Sequence, residues 1–335
     1  MNQFQKFEQV TTRHRSSVFW TLTLFGLFVL WSNSFHAIAW LRRSLGAYEL
    51  LLARFAPVGA FALAWGVSSG LRENLRLLAR YPIRLLVLGL LQVPVYNLLL
   101  NWGQGQVPAG TASLLIAMNP LFTYLLALVI GQESHRIRKT IGLLVSFTGV
   151  YVLLVAQGRS FGAGYGLHAL SVLGAPLSWA TATVVCKPLV SRHSPMRITF
   201  LSLAIGSIPF LFIAPFDHSF REALGRFGLA DWVAITHLGL MCTVVGFAVW
   251  YVALSHLPAS SVAAFVLLNP PLTIAFGPIW GTDQPSLSLL GFGAWILAGV
   301  ILSSYRFGDR VVRIGARAAT EVLESARSTI HRSGS

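Results

Sequence analysis

The sequence predicts an all-α membrane protein in which ten transmembrane helices form two inverted five-helix repeats. Three observations carry that expectation. The composition is too poor in charge for a water-soluble domain, apolar windows of membrane-spanning length recur along the whole chain, and the second half repeats the first at an offset of 150 residues.

Of the 335 residues, 55% are hydrophobic and only 11% charged, where soluble domains carry about a quarter charged residues. A soluble chain of this length would need polar surface for two cores, and that surface is missing. The formal net charge of +14 does not point to nucleic acid, because the Lys and Arg fall between the apolar runs and in the tail rather than on one patch. Cys186 and Cys242 both lie inside apolar runs. They read as small buried hydrophobes, with no disulfide or metal spacing.

Windows of roughly 20 apolar residues, the length that crosses a bilayer core, fall at 18–41, 48–68, 84–102, 107–130, 138–156, 166–189, 197–216, 231–254, 257–280 and 286–304. The first contains "HAIAW", which resembles a signal-peptidase site. The run is too long for a signal, however, and it carries Trp20, Trp31 and Trp40, so it is read as a retained span. Short connections leave no room for a soluble catalytic domain. With the N-terminus inside, only Arg42, Arg43, Arg159, Arg221 and Arg226 fall outside and Arg54 falls within a span, so the other 19 of the 25 Lys and Arg face the cytoplasm. That bias supports an even number of spans with both termini cytoplasmic, in the bacterial inner (plasma) membrane.

The expected organisation is a cytoplasmic segment over 1–17, repeats over 18–156 and 166–304, and a basic tail over 305–335. In the tail Val311, Ile314, Ala318 and Val322 share one helical face, with Arg310, Arg313 and Arg317 on the other. This suits a helix lying on anionic lipid; a frayed, solvated tail is the alternative.

Asn119-Pro120 recurs as Asn269-Pro270, and "VPAGTASLLIAMNP" (107–120) lies over "LPASSVAAFVLLNP" (257–270) without a gap. In the same register Thr123 meets Thr273, Gly131 meets Gly281, Glu133 meets Asp283, and Gly149-Val150 meets Gly299-Val300. A five-span unit crosses the membrane an odd number of times, so its second copy enters from the opposite side. Many secondary transporters use such inverted repeats for alternating access, with substrate bound between the copies.

These residues carry a family resemblance. The stretches "VPAGTASLLIAMNPLFTYLLALVIGQE" with "IGLLVSFTGVYVLL", and "LPASSVAAFVLLNPPLTIAFGPIWGTD" with "GFGAWILAGVIL", resemble the repeat of the EamA family of the drug/metabolite transporter superfamily. "WSNSF" and "LLARF" fit its opening helices, and the resemblance covers about 18 to 304. The Gly-Glu pair that the family places after its fourth span is here Gly131-Gln132-Glu133, with Gly281-Thr282-Asp283 as the second copy. The resemblance implies ten helices, export of a small polar metabolite such as an amino acid, and a cavity lined by spans one, three, four, six, eight and nine.

Polar and aromatic residues on those spans are the candidates for substrate binding: Trp31, Asn33, His36, Gln92, Tyr96, Asn119, Trp179, Thr183, His237, Tyr251 and Asn269. For each, bonding to a neighbouring helix is the competing role. Gln92 and Tyr96, four residues apart, are expected to share one helix face, and Asn97 and Asn101 another. Pro120 and Pro270 are expected to kink their helices, because each removes the usual donor to the carbonyl four residues back. None of the eleven acidic residues lies at the centre of a span. His36 and His237 are then the only proton-carrier candidates, and movement down a gradient is the favoured mode. Arg54 is open to two roles, a partner for an anionic substrate group or a structural residue that bonds carbonyls or snorkels outward, and the second is favoured.

The alternatives are a carrier of a sugar-phosphate or lipid-linked substrate, which calls for a more cationic cavity than Arg54 alone provides, and a non-transporting accessory subunit. An enzyme is disfavoured, since there is no HExxH, no paired carboxylates and no Gly-x-Ser-x-Gly. The expected partners are a small-molecule substrate and membrane lipids, with no nucleic acid, no cofactor and no metal; a homodimer is left open.

Overall fold

The computed structural model describes residues 3–131, 135–161, 164–256, 262–263, 265–281 and 287–304. The expected amphipathic tail over 305–335 and the turn positions of Glu133 and Asp283 lie outside them. Among the described residues the chain is all helical: α1 Gln3–Leu41, α2 Ala47–Ser68, α3 Leu71–Arg80, α4 Pro82–Gly103, α5 Ala109–Val129, α6 Ile137–Phe161, α7 Tyr165–Val190, α8 Pro195–Ile213, α9 His218–Gly225, α10 Leu229–His256, α11 Phe265–Trp280 and α12 Leu287–Ser304.

Eight of these are long and apolar enough to cross a membrane, and α11 and α12 are shorter apolar helices. The long helices match the apolar windows to within a few residues, except that α1 starts at Gln3, inside the segment expected to precede the first span. Two helices arise where only loops were expected. In α3 a strongly amphipathic sequence sets Asn74 and Leu77 inward and its arginines outward, and Asn74 Nδ2 donates to Gly66 O at 2.7 Å. In α9, Asp217 caps the N-terminus by accepting from Phe220 N at 2.8 Å.

Helix contacts run across the two halves. α2 packs on α8, α6 on α12 and α5 on α11; α1 packs on α11 and α10, while α7 packs on α5 and α4. The α6–α12 contact is built from residues related by the 150-residue offset. Ser146 Oγ donates to Ile296 O at 3.1 Å. A Cβ added at Gly149 would meet Ile296 at 2.9 Å, and one at Gly299 would meet the backbone N of Ser146 at 2.6 Å. Close backbone approach through small residues is the usual way membrane helices associate. Gly131 and Gly281 end α5 and α11 with φ of 72° and 60°. This left-handed conformation costs glycine nothing and most other residues over 1 kcal/mol.

Four spans are irregular. α5 loses its α ladder at Ala117 and Met118, so Asn119 and Pro120 open a new helical segment, Asn119–Val129. α11 begins as a 3₁₀ turn, Phe265–Leu268, before Asn269 and Pro270 open Asn269–Trp280. In both, the proline sits in the first turn of a helix, where its missing N–H is tolerated. α4 and α10 each contain a π-helical stretch, Leu91–Val95 and His237–Val245. Pro94 explains the first, since its ring clashes with the carbonyl four residues back and widening the turn relieves the clash. The second contains no proline.

Candidate functional site

Where α1, α2, α4, α5, α7, α10 and α11 converge, their side chains enclose a cavity of about 50 Å³, room for roughly three or four waters. Six aromatic side chains, Phe28, Trp31, Phe35, Tyr96, Trp179 and Phe247, stand in its wall. Trp31 meets Trp179 edge-on with centroids 5.6 Å apart, and Trp179 also meets Tyr96 at 5.3 Å and Phe247 at 5.0 Å. Trp31 is fixed by donating Nε1–H to Cys242 O at 2.9 Å. It lies so close to α10 that a Cβ at Gly246 would fall 2.5 Å from its indole nitrogen.

Asn119 and Asn269 face the same cavity. Asn119 Nδ2 donates to Pro176 O at 3.2 Å, tying the break in α5 to α7. Asn269 Oδ1 is buried, and no donor among the described residues reaches it.

Among the described residues Arg54 is the one charged residue lining the cavity, and it is 5% exposed. Its Nε donates to Thr243 Oγ1 and its Nη1 to Asn97 Oδ1, each at 2.9 Å. Both acceptors also bond the widened turns beside them. Asn97 Nδ2 donates to the carbonyls of Gln92 and Val93 at 2.9 Å, and Thr243 Oγ1 donates to Leu238 O at 2.8 Å. A π turn directs carbonyls at the residue five places on, and these side chains occupy that place. Arg54 therefore bridges the π stretch of α4 to that of α10.

Five of the eleven substrate-binding candidates line the cavity: Trp31, Tyr96, Asn119, Trp179 and Asn269. The other six bond or pack elsewhere. Asn33 Oδ1 accepts from Trp280 Nε1 at 2.9 Å. His36 Nε2 donates to Thr273 O at 2.7 Å, with its ring stacked on Trp280. His237 Nε2 lies 3.1 Å from Leu30 O and 3.3 Å from Cys242 Sγ. Thr183 donates to Trp179 O at 2.9 Å, within its own helix. Gln92 and Tyr251 are both buried and lie beside one another away from the cavity, near Cys186. Gln92 and Tyr96 thus do not share the cavity face expected from their four-residue spacing, because the π stretch lies between them and advances the face by a residue.

Sequence reasoning missed Phe28, Phe35 and Phe247 and favoured a structural role for Arg54. A signal existed in α1, where Phe28, Trp31 and Phe35 recur at helical spacing on one stripe. Phe247 had none. The sequence also assigned no cavity role to span two, which reaches the cavity only through Arg54.

A model of the EamA-like transporter family matches residues 18–155 and 167–305. A probable terminal-alkyne amino-acid exporter of Streptantibioticus cattleyicolor is 33% identical over 293 residues, covering 87% of this chain and 94% of the relative. An uncharacterized transporter of Archaeoglobus fulgidus is 27% identical over 273 residues, covering 81% and 94%. Among solved structures, one protein crystal structure superposes with a TM-score of 0.57 at 20% identity, covering 85% of this chain and 96% of that one, a likeness of fold alone. With both halves matched by one transporter model and the relatives aligned nearly end to end, the chain belongs to the EamA-like transporter family.

Proposed function

We propose that the protein exports small polar metabolites, amino acids foremost, by alternating access around the aromatic cavity between two inverted five-helix repeats. The observation that carries this reading is the cavity's composition. Residues from both halves, Asn119 with Asn269 at the 150-residue offset and Trp31 with Trp179 from the first span of each repeat, line one cavity. The cross-half packing supports the inverted arrangement. α2–α8, α5–α11 and α6–α12 each pair a span with its own counterpart, and α1 on α11 and α10 is answered by α7 on α5 and α4. A duplicated unit related by a two-fold axis in the membrane plane produces that pattern. In this reading α11 and α12 complete a set of ten spans, and the cation bias of the loops sets both termini in the cytoplasm. The amino-acid assignment draws on the relative from Streptantibioticus cattleyicolor. Pro120 and Pro270 would serve as paired bends.

The test is reconstitution into liposomes with labelled amino acids, other metabolites and phosphorylated sugars, at several pH values and with an imposed pH gradient. Saturable flux of amino acids is expected. Absence of flux for every solute would sink the transporter reading, and flux confined to phosphorylated sugars would replace the substrate class.

A further inference from the structure

Arg54 carries a full positive charge in the interior, and among the described residues no carboxylate meets it. The ion pairs among the described residues are Arg197 with Glu73 and His218 with Glu222, both far from the cavity wall. The two groups that Arg54 does bond, Asn97 and Thr243, are neutral. A guanidinium has five N–H donors in a rigid fork. Those two bonds use one on Nε and one on Nη1, which leaves both donors of Nη2 in a side chain that lines the cavity.

The structural alternatives fit poorly. Snorkelling would place the head in water, yet the residue is 5% exposed and its head is fixed between α4 and α10. Bridging an amide to a hydroxyl needs only a neutral donor, so bridging does not explain a charge, which is expensive to bury unpaired.

The rest of the cavity defines what would pair with that charge. Among the described residues no acid lines it and no donor reaches the buried Asn269 Oδ1, and the rings of Trp31, Trp179, Tyr96 and Phe247 stand in its wall. The space therefore offers donors for an anion at one place, an acceptor for an N–H at another, and π faces that attract cations and apolar groups.

We propose that Arg54 binds the substrate's carboxylate, so that the cavity selects α-amino acids with apolar side chains over their amides, the corresponding amines and neutral solutes. This deepens the transporter reading and rests on it. The carboxylate takes the free face of the guanidinium, the ammonium has the Asn269 oxygen available, and the side chain packs against the aromatic wall. The cavity of about 50 Å³ is smaller than such a molecule, so binding requires the helices to part from the arrangement described.

The test uses the full chain, purified in detergent and in liposomes. The probes are leucine, methionine, phenylalanine and tryptophan, each beside its carboxamide. In the parent, the acids should quench tryptophan fluorescence and be transported at concentrations at least about thirty-fold below those the amides require. Arg54→Gln should lose at least about thirty-fold in affinity for the acids and under about threefold for the amides. Asn97→Asp keeps Arg54 but sets a carboxylate against it, and it should abolish the acid preference in the same way, which keeps the proposal falsifiable if Arg54→Gln fails to fold. Equal response to acid and amide in the parent would overturn the proposal, as would an acid preference retained in the folded variants. Parent flux of solutes lacking a carboxylate, with none for any of the four acids, would overturn it while leaving the transporter reading standing. No flux of any solute would instead be a failure of that reading.

Discussion

Asn97→Ala is the perturbation whose cost can be worked most directly from the geometry. The side chain is fully buried and makes three hydrogen bonds, accepting from Arg54 and donating to the carbonyls of Gln92 and Val93. Hydrogen bonds between membrane helices are worth about 0.6 kcal/mol on average, so three ordinary bonds give a floor near 2 kcal/mol. The bond from Arg54 is charge-assisted, and removing it strands part of a buried cation, which adds about 1–3 kcal/mol. The expected loss is therefore about 3–5 kcal/mol. Thr199→Val is the matched control, since Thr199 is equally buried and its hydroxyl only bonds Pro195 O within the same helix at 2.8 Å; it should cost about 0.5 kcal/mol. Reversible unfolding in mixed micelles with increasing SDS, followed by tryptophan fluorescence, measures both. In a double-mutant cycle with Arg54→Gln, the Asn97 effect should shrink by about 1 kcal/mol or more. If Asn97→Ala falls within 0.5 kcal/mol of the control, the bridge between the two π stretches contributes nothing, and the account of how Arg54 is positioned fails.

Four further outcomes follow from particular contacts. Gly206→Val should lower thermal stability in detergent by about 1–3 kcal/mol, because a Cβ there falls 2.6 Å from that of Val93 and against the backbone of Gly89; Gly166→Ala, with nothing within 4 Å, should be silent. Trp179→Leu removes a ring shared by Trp31, Tyr96 and Phe247 and should raise the half-saturating amino-acid concentration about tenfold or more while the protein stays monodisperse; unchanged saturation would remove Trp179 from the binding wall. His237→Gln should leave the pH profile of flux in place, since the ring rests against a main-chain carbonyl outside the cavity; a displaced profile would restore it as a proton carrier. An impermeant maleimide should label Gln106→Cys in intact cells and Arg192→Cys only after permeabilisation, the native cysteines being buried; equal labelling would contradict the orientation.

The bundle was legible because hydrophobic length is a property of consecutive residues. The apolar windows foretell the long helices, and the offset of 150 foretells the duplicated halves, though not that Ser146 and Ile296, which stand at that offset, meet. What escaped depends on departures from the α repeat. Pro94 marks a disturbance in α4 without saying that the turn widens, and no proline marks the stretch in α10 at all. A wheel drawn with 3.6 residues per turn therefore put Gln92 beside Tyr96. For Arg54 the sequence exposes the charge but not its company. That two neutral side chains grip it is a fact about residues 43 and 189 positions away. The histidines show the same limit: a titratable ring in an apolar run looks unpartnered until the carbonyl of the adjacent helix is in view.

The widened turns also govern where this lineage can gain or lose a residue. Membrane helices usually confine insertions and deletions to their loops, yet α4 and α10 each carry surplus backbone at mid-span. Deleting one residue within 91–95 would return the stretch to an ordinary α ladder and rotate one half of α4 against the other by about 100°. Tyr96 and Leu100, which both face the cavity, would then leave it together. An alignment gap falling inside these two spans therefore records a turned cavity wall, and substrate choice can be inherited through length as well as through side chains.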